Sequence, residues 1–142
     1  MRILILNGPN LNLLGKREPE IYGSETFEDI LAALRNAYPQ VEIDYFQSNH
    51  EGAIIDRLQA ILTEDWDGLV LNMGAFTHYS YAIYDTLRSL KVPKVEVHIS
   101  HIFEREEFRH KSVTAAACDG MISGLGTKGY ELAIQWIIKR TI

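Results

Sequence analysis

Ile3-Leu4-Ile5-Leu6 is an unbroken apolar run, the pattern of a strand covered on both faces. Thr26-Phe27-Glu28-Asp29 then has the form of a capping box with Thr26 as N-cap. Phe27, Ile30, Leu31 and Leu34 follow at helical spacing, and Pro39 stops that helix. Val41 to Phe46 reads as a second strand. Its partial alternation, with Glu42 and Asp44, suits the edge of a sheet. Ile54, Ile55, Leu58, Ile61 and Leu62 form the apolar face of a second helix.

Gly68 to Leu71 is another short buried strand, followed by a helix from near Ser80 to Leu90. Pro93 precedes a strand at Val95 to Ile99, and His101 to Ser112 is polar, with room for one helical turn. Gly120 to Ser123 is a weak fifth strand. Tyr130, Ala133, Ile134, Ile137 and Ile138 mark the last helix. Strands alternating with helices predict a parallel sheet with helices on both faces. Right-handed crossovers narrow this to an α/β, flavodoxin-like three-layer sandwich on a five-stranded parallel sheet.

Composition refines this picture without altering it. At 142 residues the chain is read as one domain, residues 1–142, large enough for a real core. The net charge of −5 disfavours a general nucleic-acid or anionic-membrane role but leaves room for a local basic pocket. The single cysteine, Cys118, permits no internal disulfide, which fits a reducing compartment. Ile3 to Leu6 is too short for a signal peptide, and no apolar run approaches the roughly 18 residues of a membrane span. A cytoplasmic location is the expectation.

One stretch is anomalous. Asn7 to Gly23 separates the first strand from the next helical pattern, whereas such connections usually run about 2–6 residues. A long loop at the carboxyl end of a strand is usually a lid or binding loop. This one carries Asn10, Arg17 and Tyr22, with Gly8, Gly15 and Gly23 as candidate hinges. Asn7-Gly8-Pro9-Asn10, Asn72-Met73-Gly74-Ala75 and His98-Ile99-Ser100-His101 all lie just past buried strands. Ligands bind at those ends in doubly wound sheets, so the three polar ends predict one pocket.

Several motifs invite other chemistry. Gly124 to Gly129 fits G-x-G-x-x-G, but a dinucleotide fingerprint needs a βαβ unit and an acidic residue about 20 positions on. The last residue, Ile142, comes sooner, so a tight turn with close helix packing is the better reading. Glu96 and His98 alternate on a strand and share a face, which suits a carboxylate–imidazole pair better than a metal triad with His101. Arg105 and Arg109 lie four apart, so a helical turn would let one face the pocket. Cys118 lacks a basic neighbour, and Lys94, at a strand entry, is poorly placed as a Schiff base. A flavodoxin-like binding module gripping phosphate or flavin, or a metal-dependent hydrolase, stays open on these residues alone.

Read together, the motifs resemble the type II 3-dehydroquinate dehydratases. The matching pieces are Asn7-Gly8-Pro9-Asn10-Leu11, Gly15 to Pro19 with Tyr22-Gly23, and Asn72-x-Gly74-Ala75-x-Thr77-His78. Glu96 to Ser100, Arg105 to Arg109 and Gly124-Leu125-Gly126-x-x-Gly129-Tyr130 complete the series. They span nearly the whole chain in family order. Tyr79, Met73 and His101 depart from the usual pattern at the pocket rim or a subunit contact.

The resemblance implies loss of water from 3-dehydroquinate to give 3-dehydroshikimate, in the shikimate pathway, without metal or cofactor. It implies Tyr22 as the base, Arg17 as its activator, and Asn10 holding a water against the enolate oxygen. His98, oriented by Glu96, becomes the acid. Asn72 and the backbone of Ile99 and Ser100 take the substrate carboxylate, and His78 and Arg109 take its hydroxyls. Asp85 reaches in from a neighbouring subunit of a dodecamer built from trimers. Bringing a phenol from its ordinary pKa of about 10 to neutrality takes about 4 kcal/mol, which a close guanidinium in a water-poor site can supply.

Overall fold

The computed structural model describes residues 1–17 and 19–141, and of Ile21, Tyr22 and Thr141 the backbone only. Five strands, β1 (Arg2–Asn7), β2 (Glu42–Gln47), β3 (Gly68–Asn72), β4 (Lys94–His98) and β5 (Gly120–Ser123), form one sheet in the order β2-β1-β3-β4-β5. All four pairings are parallel. The helices are α1 (Pro19–Tyr22), α2 (Phe27–Ala37), α3 (Glu51–Ala60), α4 (Tyr81–Arg88) and α5 (Lys128–Thr141).

The alternation along the central strands builds two cores. Ile3, Ile5, Val70, Val95 and Val97 pack with the apolar stripes of α2 and α5. Leu4, Leu6, Leu69 and Leu71 pack on the other face with α3 and α4. Successive strand residues point to opposite faces, so continuous apolar runs are what a doubly covered sheet requires. Each such side chain contributes about 1.5–3 kcal/mol on full burial, which pins the register. The three-layer, flavodoxin-like sandwich is therefore the observed fold.

Local signals place the helix ends. The Asp29 N–H donates to Thr26 Oγ1 at 3.2 Å and the Thr26 N–H donates to Asp29 Oδ2 at 3.1 Å, the reciprocal capping box. Ser80 caps α4 by accepting from the Ile83 N–H. α4 ends at Arg88 rather than Leu90. The buried Lys94 ammonium donates to the carbonyls of Leu90 at 2.6 Å and Val92 at 3.2 Å just beyond it. Lys94 is the first residue of β4, at its entry as expected, and its ammonium is satisfied by backbone oxygens.

Other expectations need correction. Leu62 is 61% exposed because α3 tightens into a 3-10 turn at Ile61–Thr63, which rotates Leu62 off the apolar stripe. No α-helix crosses from β4 to β5. The polar stretch there forms separate 3-10 turns at Ile102–Glu104, Glu107–Arg109 and Ala115–Ala117. The long loop after β1 holds a 3-10 turn, Leu11–Leu13, as well as α1. Gly8 is no hinge: a Cβ there would lie 2.3 Å from the Met73 carbonyl oxygen, so glycine permits two loops to touch. Gly124 to Gly129 is a turn into α5, and a Cβ on Gly129 would meet Val97 Cγ1 at 2.9 Å, the expected close packing. Among the described residues no helix is long and apolar enough to cross a membrane.

Candidate active site

Strand order reverses beside β1, whose two neighbours are β2 and β3. The pocket lies at the carboxyl ends of β1, β3 and β4, where a crevice opens in such sheets. It encloses about 150 Å³, room for several waters or one compact small molecule. Asn10 and Arg17 line it from the loop after β1, and Asn72 and His78 from the end of β3 onward. His98, Ile99 and Ser100 line it from the end of β4, and Arg105 and Arg109 from the turns beyond. Arg105 is the extended residue after one 3-10 turn and Arg109 ends the next, rather than both lying on one helical turn, yet both reach the same space.

Glu96 sits behind His98 and is fully buried. His98 Nε2 lies 2.7 Å from Glu96 Oε2, so Nε2 carries the proton and Nδ1 is the ring nitrogen left for the pocket. Burial alone would raise the Glu96 carboxyl. The bond and charge of His98, with the hydroxyls of Ser112 and Thr114, outweigh it and hold the group below the ordinary carboxylate value.

His78 ends the 3-10 turn Gly74–His78, with its ring 6.5 Å from that of His98 at an interplanar angle of 20°. His78 Nδ1 lies 2.8 Å from the Lys111 carbonyl oxygen. A carbonyl only accepts, so Nδ1 bears the hydrogen and Nε2 is the acceptor. Partial burial lowers the His78 pKa, and the charges of His98 and Arg109 add to this against the opposing Lys111 bond. Arg109 Nε donates to Glu106 Oε1 at 3.1 Å, with its guanidinium over the Phe108 ring.

Asn7 and Asn72 are register partners on β1 and β3. Tyr130, from α5, bridges them. Its hydroxyl accepts from Asn72 Nδ2 at 3.0 Å and donates to Asn7 Oδ1 at 2.9 Å. Asn7 Nδ2 donates on to the Tyr45 hydroxyl at 3.3 Å. Asn72 Oδ1 accepts from the Gly74 N–H at 3.2 Å. Burial pushes the Tyr130 phenol upward, and that of Tyr45 up to about 12, so both stay protonated. Tyr130 was legible only as a core residue. A tyrosine on an apolar stripe nevertheless brings a hydroxyl that needs a partner, and that was the available signal.

Asn10 is exposed with φ +70°, and its backbone N–H donates to Asn49 Oδ1 at 3.0 Å. Arg17 is exposed at the rim. Tyr22 is the last residue of α1, and its side chain lies outside the described residues. Asp85 is exposed on α4 and is not among the residues lining this pocket. His101 is exposed, does not line this pocket and sits edge-on to the Phe103 ring at 5.8 Å. Burial raises Cys118 to about 12, which removes it as a nucleophile. Ser112 and Thr114, the hydroxyl partners of Glu96, carried no local sequence signal.

A family model described as dehydroquinase class II matches residues 1–138. The chain is 58% identical over 141 residues to the 3-dehydroquinate dehydratase of Thermotoga neapolitana, covering 98% of this chain and 95% of that protein. It is 58% identical over 142 residues to the 3-dehydroquinate dehydratase of Thermotoga maritima, at 99% and 96% coverage. The crystal structure of the type II dehydroquinase from Butyrivibrio crossotus superposes with a TM-score of 0.94 at 51% identity, covering 97% of each chain. That from Propionibacterium acnes gives 0.92 at 43% identity, covering 97% of this chain and 96% of the other.

Proposed function

We propose that this chain, which belongs to the class II dehydroquinase family, uses the pocket over β1, β3 and β4 to eliminate water from 3-dehydroquinate. The activity is that of a hydro-lyase of the shikimate pathway. The observation that carries the residue assignment is the buried Glu96–His98 pair, with Nδ1 of His98 left for a ligand.

In this reading Tyr22 removes the proton beside the ketone, and Arg17 stabilises its phenolate and the developing charge. Asn10 positions a water at the enolate oxygen. His98 then delivers its Nδ1 proton to the departing hydroxyl, and water leaves as the enolate collapses to the conjugated enone. Glu96 stabilises the imidazolium before that transfer. Asn72 and the backbone of Ile99 and Ser100 hold the substrate carboxylate, and His78 and Arg109 take its hydroxyls. A neutral His78 with Nε2 as acceptor suits a hydroxyl donor. The reaction is balanced by one proton taken, one given and one water released.

The reading extends to one catalytic domain over residues 1–142, acting in the cytoplasm as a dodecamer of trimers in which Asp85 serves a neighbouring subunit's pocket. Asp85 on an exposed helix face supports that role, as it lies away from its own pocket. The test is to incubate the protein with 3-dehydroquinate and follow the ultraviolet absorbance of the conjugated product, with the oligomer measured by light scattering. Absence of that absorbance in active-site-intact protein would refute the reading.

A further inference from the structure

The segment Lys111–Thr114, between two 3-10 turns, binds His78 directly and reaches His98 through Glu96, without lining the pocket itself. Its Lys111 carbonyl binds His78 Nδ1 at 2.8 Å. Ser112 Oγ donates to Glu96 Oε2 at 2.6 Å, and Thr114 Oγ1 donates to Glu96 Oε1 at 2.5 Å. The Val113 N–H donates to the Thr77 carbonyl at 2.8 Å, which ties the segment to the turn that carries His78. Thr77 Oγ1 lies 2.6 Å from Thr114 Oγ1. With the Thr114 proton committed to the carboxylate, the Thr77 hydroxyl is left to donate to Thr114. The Ala115 N–H meets Ser112 Oγ at 3.0 Å in the same sense. The hydroxyl hydrogens of Ser112, Thr114 and Thr77 and the Ala115 N–H therefore all run toward Glu96.

We propose that Lys111–Thr114 is the positioning element of both histidines. Ser112 and Thr114 hold Glu96 as a carboxylate facing His98 Nε2, leaving Nδ1 for the reacting hydroxyl, and the Lys111 carbonyl leaves His78 Nε2 as an acceptor. The inference rests on the dehydratase reading of the site. The physical need is specific. A buried carboxylate tends to take up a proton unless donors satisfy it. If Glu96 took the Nε2 proton, His98 would be left as the neutral Nδ1–H tautomer, a far weaker acid than the imidazolium. With both hydroxyls in place, the proton rests on the imidazole, and delivery from Nδ1 leaves the Nε2–H tautomer that Glu96 already holds.

The test compares Thr114→Val, which keeps shape and removes the hydroxyl, with Thr114→Ser and Ser112→Ala. A hydrogen bond to a charged group is worth enough for about a tenfold loss of kcat in Thr114→Val and in Ser112→Ala. KM should stay unchanged, and Thr114→Ser should recover most of the loss. Nitrogen-15 spectra of histidine-labelled protein should show His98 as Nε2–H and His78 as Nδ1–H in the neutral form, with His98 becoming a tautomer mixture in Thr114→Val. Ser112 is half-buried, so its alanine variant keeps the test valid should Thr114→Val fold poorly. Unchanged kcat in a folded variant, a rise in KM instead, or no recovery by serine would overturn the proposal. Failure of the dehydratase reading looks different: wild-type protein would leave 3-dehydroquinate untouched while the histidine tautomers stayed as described.

Discussion

The floor of the pocket and the loop above it are built on opposite principles. On the floor, Asn7 and Glu96 are fully buried and Asn72 and His98 nearly so; Asn7, Asn72 and Glu96 have hydrogen-bond partners from other elements, and His98 is held by Glu96 of its own strand. In the loop, Asn10 and Arg17 are exposed, and α1 is a single turn of four residues. The floor can hold an acid and two amides in fixed geometry before any ligand arrives, which is the preorganisation electrostatic catalysis depends on. The loop has few buried groups to set its position. The difference teaches a division of labour: orientation is settled below, and in the proposed mechanism the base comes from the loop.

Substitutions on each side should break this division differently. The largest effect is expected for Tyr22→Phe in the loop. A positioned general base contributes about 10²–10⁴-fold, so kcat should fall by that order while substrate binding, followed by calorimetry, persists. Wild-type-like turnover would remove Tyr22 from the base role. Arg17→Ala should come next, lowering kcat about tenfold or more with little change in KM, since in the proposed mechanism the arginine acts on the phenolate rather than on ground-state binding. A rise in KM with kcat intact would make it a binding residue.

Stability should discriminate the two regions in the reverse sense. Gly8→Ala forces a Cβ to within 2.3 Å of the Met73 carbonyl and must separate the ends of β1 and β3. A loss of about 3 kcal/mol in urea unfolding is expected, with activity falling as Asn72 shifts. Gly23→Ala meets nothing within 4 Å and strains only the backbone at φ +81°. Its cost should be about 1 kcal/mol. Equal losses at the two glycines would erase the distinction between floor and loop.

The outline of the site could be read from residue order because each polar end follows an apolar strand, and a parallel sheet brings those ends to one edge. Glu96 and His98 were legible as a pair because strand alternation is a strict rule. Arg105 and Arg109 were legible only as candidates. The backbone between them is extended at Arg105, and no helical period connects them. Leu62 misled for a related reason, since the 3.6-residue period continues on paper where the helix itself tightens.

The amino-acid sequence by itself determined the sheet, its doubly covered strands, the capped start of α2 and the family. Those follow from hydrophobic period, local side-chain-to-backbone bonds and motif order, all of which act over short separations. Only the tertiary structure decided which nitrogen of each histidine faces the pocket. That choice depends on Glu96, Ser112, Thr114 and the Lys111 carbonyl meeting across sequence separations of up to 33 residues. The Tyr130 bridge between Asn7 and Asn72 was decided in the same way, as hydrogen bonds between distant segments leave no periodic trace in the chain.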